Sequence, residues 1–188
     1  MENPSQIRIL RGVVKAIKLL NEKRFKVVIV SNQSGVARGY FTEEDVKRVN
    51  LKIISELGDD CFIDAIYFCP HHPKIGIELY RKDCDCRKPK PGMLKRAAKD
   101  LNIDLNQSFM IGDKMDDICA GYQAGCETIL VLTGQGRDEL EYYSKTKNSV
   151  LEKSIKPNNI ASDLLESVSI IFKKIQKYSQ DEFNDIDN

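Results

Sequence analysis

The sequence carries almost no excess charge: 29 basic residues face 28 acidic ones, for a net charge of +1. That balance gives no electrostatic case for nucleic acid or an anionic membrane surface as a partner. No apolar run approaches the roughly 20 residues that a membrane-spanning helix needs. Met1-Glu2-Asn3-Pro4-Ser5 lacks the basic and apolar regions of a signal peptide. There is no internal repeat, which excludes a solenoid or propeller. Without a secretory leader, the six cysteines point to a reducing cytoplasm, where thiols bind metal rather than pair as disulfides. What remains is a soluble globular composition, 41% hydrophobic and 30% charged over 188 residues. That length is one domain with room for a proper core.

Hydrophobic patterning alternates between two periods. Residues 12–20 place Val13, Val14, Ala16, Ile17 and Leu20 at helical spacing. Lys26-Val27-Val28-Ile29-Val30 is a continuous β-branched run, as in a strand buried on both faces. It ends in the polar turn Ser31-Asn32-Gln33-Ser34-Gly35. Thr42 followed by Glu43, Glu44 and Asp45 predicts a helix start, with the helix running to Leu57. Ala65-Ile66-Tyr67-Phe68 reads as a strand that delivers Cys69, and Pro91-Gly92 opens a helix through Lys99. Strands at 108–111 and 128–132 flank a helix over 116–124 that stops at Gly125. A last amphipathic helix spans 162–175. The fold class is therefore α/β, with a mostly parallel, Rossmann-like sheet and helices on both faces. The expected division is one domain over 1–177 and a polar, disordered tail over 178–188.

In such sheets ligands bind beyond the carboxyl ends of the strands. Ser31 follows the first buried strand, where a hydroxyl and successive backbone N–H groups suit a phosphate. Asp113 follows the 108–111 strand and suits Mg²⁺, a hard cation that prefers carboxylate oxygen; Asp116 and Asp117 stand one turn later. Taken singly, each has a bland alternative: an ordinary turn, a loop acid, a solvated Lys88. Cys61, Cys119 and Cys126 read as small core residues, and His72 as a spare surface imidazole. The set Cys69, His71, Cys84 and Cys86 is more specific. Two closely spaced ligand pairs supply the four soft or imidazole donors of a tetrahedral zinc site, although neither pair has the C-x₂-C spacing of an ordinary zinc finger. Arg87 and Lys88 follow the last ligand directly, which suggests a metal staple holding an anion-binding pair.

Four strings arrive in order: Ser31-Asn-Gln-Ser-Gly-Val-Ala-Arg-Gly39, Cys69-Pro-His-His-Pro73, Cys84-Asp-Cys-Arg-Lys-Pro-Lys-Pro-Gly92, and Gly112-Asp-Lys114 with Asp117. Together they resemble the D,D-heptose 1,7-bisphosphate 7-phosphatase branch of the haloacid dehalogenase superfamily, whose near relative is the histidinol-phosphate phosphatase domain. The resemblance runs from Ile9 to Ile175. It implies a Mg²⁺-dependent phosphomonoester hydrolase acting on a small phosphorylated sugar through an aspartyl-phosphate, cytoplasmic and monomeric, with a zinc loop in place of a cap domain. By resemblance, Ser31 and Lys88 stabilise the phosphoryl group. Asn32, Gln33, Ser34, Arg87 and Lys114 contact substrate, and Asp113 binds Mg²⁺. Cys69, His71, Cys84 and Cys86 bind a structural zinc.

One family feature is absent. The branch begins with a strand ending in Asp-x-Asp-Gly-Thr, whose first Asp is the nucleophile and whose second is the general acid/base. No Asp-x-Asp-Gly occurs in this sequence; Asp83 and Asp85 belong to the zinc loop. The expectation is a chain that starts just after its own active-site strand, with the nucleophile upstream. That missing strand would be the central one, between the strands ending at Ser31 and Asp113. Ile7-Arg8-Ile9-Leu10 is poorly placed to fill the gap. The rival expectations are histidinol phosphate as substrate, or an inactive zinc module that still binds sugar phosphates.

Overall fold

The computed structural model describes residues 7–145 and 155–186. Six helices and five strands alternate: α1 (Val13–Glu22), β1 (Val28–Asn32), α2 (Glu43–Leu57), β2 (Ala65–Cys69), α3 (Gly92–Leu101), β3 (Phe109–Gly112), α4 (Met115–Ala124), β4 (Glu127–Val131), α5 (Gly136–Lys145), β5 (Asn159–Ala161) and α6 (Leu164–Ile186). All strand pairs are parallel: Val28 sits opposite Ala65, Phe109 opposite Glu127, and Ile129 opposite Asn159. Among the described residues, no helix is long and apolar enough to cross a membrane.

Local sequence sets the helix ends. Thr42 caps α2 by accepting from the Asp45 N–H, while the Asp45 carboxylate accepts from the Thr42 N–H at 2.7 Å. This reciprocal box satisfies two N-terminal donors at once. Gly125 ends α4 with φ 90°, a left-handed conformation that costs glycine little. The polar stretch from Tyr178, expected as a tail, continues α6 to Ile186.

The core lies between the sheet and α1 and α6. Ile171 of α6 packs on Ile129, Val131 and Ala161, and Val168 packs on Ala16 and Leu20 of α1. Ile17 meets Leu57 and Cys61 alongside. Ile129 and Leu130 are fully buried, each worth about 1.5–3 kcal/mol relative to exposure. Cys61, Cys119 and Cys126 are buried, as expected of small core residues.

The sheet is split. β1 pairs only with β2, and β3–β4–β5 form a separate set. Among the described residues no strand lies between β1 and β3. A cavity of about 970 Å³ runs there instead, lined by every residue of both strands. The two halves keep one direction. Phe25, before β1, and Phe109, opening β3, pack on the same cluster, while Lys88 bridges the two halves at the carboxyl ends. The sequence predicts β1 as buried on both faces; all five of its residues are instead half-buried, because one edge faces the cavity. β4, flanked by β3 and β5, buries its last four residues. Residues 7–10 form no strand, and Ile9 packs beside the cluster of Ile17, Leu57 and Cys61.

Candidate active site

β2 delivers Cys69 to the sheet's carboxyl edge, and the loop after it returns Cys84 and Cys86 to the same point. The four donor atoms of Cys69, His71, Cys84 and Cys86 lie within 4.8 Å of one another. Cys86 Sγ is 3.2 Å from both Cys69 Sγ and Cys84 Sγ, and 3.4 Å from His71 Nδ1. A zinc–sulfur bond of 2.3 Å sets tetrahedral edges of about 3.7 Å, so the set closes around one such ion with slight expansion. Burial, and then the neighbouring Cys86, pushes the Cys69 thiol far up. Burial likewise pushes Cys86 up and, with Lys82, holds the His71 imidazole down. Thiols crowded this way resist ionising until a cation takes them as thiolates, and a neutral imidazole is the ligand form of histidine. The donors therefore fit zinc, and four protein ligands leave no open position for a catalytic water. His72 stays outside this set: its Nδ1 accepts from the N–H groups of Lys74 and Ile75 and caps its own turn.

The zinc loop carries its cations to the end of the cavity. The Arg87 guanidinium donates to the His71 carbonyl at 3.1 Å, which ties it to the loop. Asn32, at the end of β1, clamps the Lys88 backbone from both sides: its Nδ2 donates to the Lys88 carbonyl and its Oδ1 accepts from the Lys88 N–H. The Lys88 side chain is buried, with Nζ 2.7 Å from the Val30 carbonyl and 2.7 Å from Asp117 Oδ1. Asp117 is held in turn by the Lys114 N–H at the start of α4. Gly112 makes this possible, since a Cβ there would lie 2.3 Å from Asp117 Oδ2.

Asp113 stands across the mouth at the end of β3. Its Oδ2 accepts from the Gln135 N–H at 2.9 Å, leaving Oδ1 for a cation. Burial and the neighbouring Asp117 push the Asp116 carboxyl up, partly offset by Arg87. Ser31, Asn32, Ser34, Arg87 and Lys88 border one cavity with Asp113 and Lys114. Gln33 does not line it; its Nε2 donates to Ser31 Oγ at 3.3 Å and supports that hydroxyl.

Three contributions were not foreseen from sequence. Asn32 spends its amide on Lys88 rather than facing outward. Asp117 is the buried counter-ion of Lys88. The Gln135 N–H holds Asp113, and Gly134 lets the carboxylate approach, since a Cβ there would lie 2.2 Å from Asp113 Oδ2. The signal for the last was the Gly134-Gln135-Gly136 turn just past a strand.

Comparison with known proteins places this geometry. Residues 2–125 match the model of the haloacid dehalogenase-like hydrolases, and residues 85–167 match a second model, HAD-hydrolase-like. The D-glycero-beta-D-manno-heptose-1,7-bisphosphate 7-phosphatase of Haemophilus ducreyi is 47% identical over 131 residues, 68% of this chain and 71% of that protein. The Escherichia coli K12 enzyme of the same name is 45% identical over 126 residues, 66% of each chain. Among solved structures, the D,D-heptose 1,7-bisphosphate phosphatase of B. bronchiseptica, complexed with magnesium and phosphate, superposes with a TM-score of 0.76 at 30% identity, covering 92% of this chain and 88% of that one. The Burkholderia thailandensis enzyme gives a TM-score of 0.64 at 25% identity, covering 90% and 89%. The chain thus belongs to the haloacid dehalogenase-like hydrolases, in the branch of the heptose-bisphosphate phosphatases.

Proposed function

We propose that these residues form the phosphate-binding and Mg²⁺-binding side of a D-glycero-β-D-manno-heptose 1,7-bisphosphate 7-phosphatase site, in a monomeric cytoplasmic protein serving heptose synthesis for surface glycans. The carrying observation is the buried Lys88 ammonium, fixed between Val30 and Asp117 beside Asp113 and Ser31. Phosphoryl transfer asks chiefly for positioning and charge neutralisation. Ser31 donates a hydrogen bond to the phosphoryl oxygens and Lys88 neutralises them from below. Arg87 and Lys114 hold the rest of the substrate, with Ser34 at the rim. Asp113 holds Mg²⁺, which when bound offsets charge on the phosphoryl group. The zinc fixes the loop that places Arg87 and Lys88, and takes no part in the reaction.

The nucleophile is not among these residues: the sequence has no Asp-x-Asp-Gly, and no described carboxylate sits at the end of a strand between β1 and β3. The described residues therefore supply the binding side of the site, and turnover calls for a nucleophilic carboxylate that they do not include. Calorimetric titration of the zinc-loaded protein, with Mg²⁺ present, tests this. Saturable binding of the heptose bisphosphate, tighter than that of histidinol phosphate, is expected. Absent affinity, or a preference for histidinol phosphate, overturns the reading.

A further inference from the structure

The zinc loop leans on the start of α2 through one aromatic side chain. In the short 3₁₀ turn Glu78–Tyr80, Leu79 is 70% exposed, whereas Tyr80 is half-buried. The Tyr80 ring lies against the His71 imidazole, with centroids 6.2 Å apart and planes tilted by 41°, within the range of favourable aromatic pairs. Its hydroxyl donates to the carboxylate of Glu43, in the first turn of α2. Of the three acids in that turn, Asp45 serves the cap and Arg48, and Glu44 pairs with Lys47; Glu43 is the one directed at the loop. Backbone bonds hold the same pieces together. The His72 N–H donates to the Tyr80 carbonyl at 3.1 Å, the Ala37 N–H to the Pro70 carbonyl at 3.1 Å, and the Ile77 N–H to the Ala37 carbonyl at 2.7 Å. His71 presents Nδ1 to the thiols, 3.4 Å from Cys86 Sγ and 3.6 Å from Cys69 Sγ. Nδ1 is therefore the ligand atom, and Nε2 keeps the ring proton when a metal is bound. Ligating histidines are commonly held from outside by a further partner, which fixes the ring and strengthens metal binding.

We propose that Tyr80 and Glu43 are positioning residues of the zinc site, acting through His71: Glu43 fixes the Tyr80 hydroxyl, and the Tyr80 ring holds the imidazole with Nδ1 turned toward the three thiols. The inference rests on the zinc reading of the four-donor set and extends it to the residues that hold one donor ready. A ring already in place loses little rotamer freedom when the ion arrives, so the support appears as metal affinity. The same contact seats the loop on α2. Arg87 is tied to the His71 carbonyl, and the turn after β1 is tied to the loop through Ala37, so the zinc loop, Arg87 and that turn are held as one unit.

The test uses the full chain, with zinc affinity measured by competition against a chromophoric chelator and ligand geometry read from the absorption bands of the cobalt-substituted protein. Tyr80→Leu and Glu43→Ala should each weaken zinc roughly ten-fold, and Tyr80→Leu should also shift the cobalt bands as the imidazole loses its place. Tyr80→Phe keeps the ring and drops the bond to Glu43, so it should weaken zinc by a smaller factor and leave the bands unchanged. Glu43→Gln keeps an acceptor oxygen for the hydroxyl and should stay closer to the unaltered protein than Glu43→Ala. Thr42→Ala, which removes the α2 cap without touching Tyr80, should lower the melting temperature and leave zinc affinity as it was; this separates support of the ligand from general stability of the helix. Unchanged affinity in both Tyr80→Leu and Glu43→Ala, or an equal loss in Thr42→Ala, would overturn the inference while leaving the zinc reading intact. An unaltered chain that takes up no zinc would overturn both.

Discussion

Lys88→Met is the substitution with the largest expected effect at the site. Lys88 is 8% exposed, and its ammonium holds Asp117 Oδ1 and the Val30 carbonyl, each at 2.7 Å. Methionine keeps most of the volume and removes the charge, so Asp117, itself 6% exposed, becomes a buried carboxylate with only the Lys114 N–H to meet it. Breaking a buried pair from one side costs about 3–5 kcal/mol, against a total stability of about 5–15 kcal/mol. For a chain of this size, each kcal/mol moves the melting midpoint by about 2–4 °C, which predicts a fall of about 6–20 °C. The double variant Lys88→Met/Asp117→Leu removes both charges and should recover much of the loss, since the penalty lies in the orphaned carboxylate. Urea and thermal melts of the zinc-loaded proteins measure both. A single-variant loss below about 1 kcal/mol, the size of an exposed pair, refutes the argument, as does a double variant no more stable than the single.

Zinc removal by a chelator should release one ion per chain and abolish amide protection in the loop between Cys69 and Cys86, since ordering of such a loop rests on metal binding worth on the order of 10 kcal/mol; elemental analysis and hydrogen exchange read the two effects. Gly134→Ala places a Cβ 2.2 Å from Asp113 Oδ2 at a φ of 60°, and should weaken Mn²⁺ or Mg²⁺ binding by roughly ten-fold while zinc content stays the same, as measured by calorimetry and elemental analysis. The Thr42 backbone and hydroxyl, with Arg48, hold the Asp45 carboxyl down from 3.8 to about 2. Because that folded-state value is depressed, the α2 cap contributes fully above pH 3.8 and is lost as pH falls through about 2. An NMR titration of Asp45 should find its midpoint near 2, and Thr42→Ala should raise it toward 3.8.

Much of this fold was legible because local rules agree with tertiary packing. Thr42 and its three acids, Gly125, and the β-branched runs each have one good structural solution. The zinc set was legible from spacing, because four donors in two close pairs converge once β2 and the return loop meet. α5 and β5 were not anticipated. β5 has only three residues, and Asn158 and Asn159 secure it through Thr128 and Glu127, contacts about thirty positions away in sequence. The doubled hydrogen bonds of Asn32 and the burial of Lys88 were also invisible in sequence, since both depend on where the zinc loop docks against β1. The half-buried state of β1 follows from what lies beside it rather than from its own composition. A continuous apolar run specifies a central strand, and among the described residues β1 has a strand neighbour on one edge only.

The account's central claim is that Ser31, Lys88 and Asp113 bind one phosphoryl group together with Mg²⁺. The most direct measurement is an NMR titration of the zinc-loaded protein with inorganic phosphate, with and without Mg²⁺, following backbone amides. The account predicts saturable shifts centred on Ser31, Lys88 and Asp113, strengthened by Mg²⁺ and reduced in Asp113→Asn. Shifts that do not saturate, that centre elsewhere, or that ignore both Mg²⁺ and Asp113→Asn would contradict it.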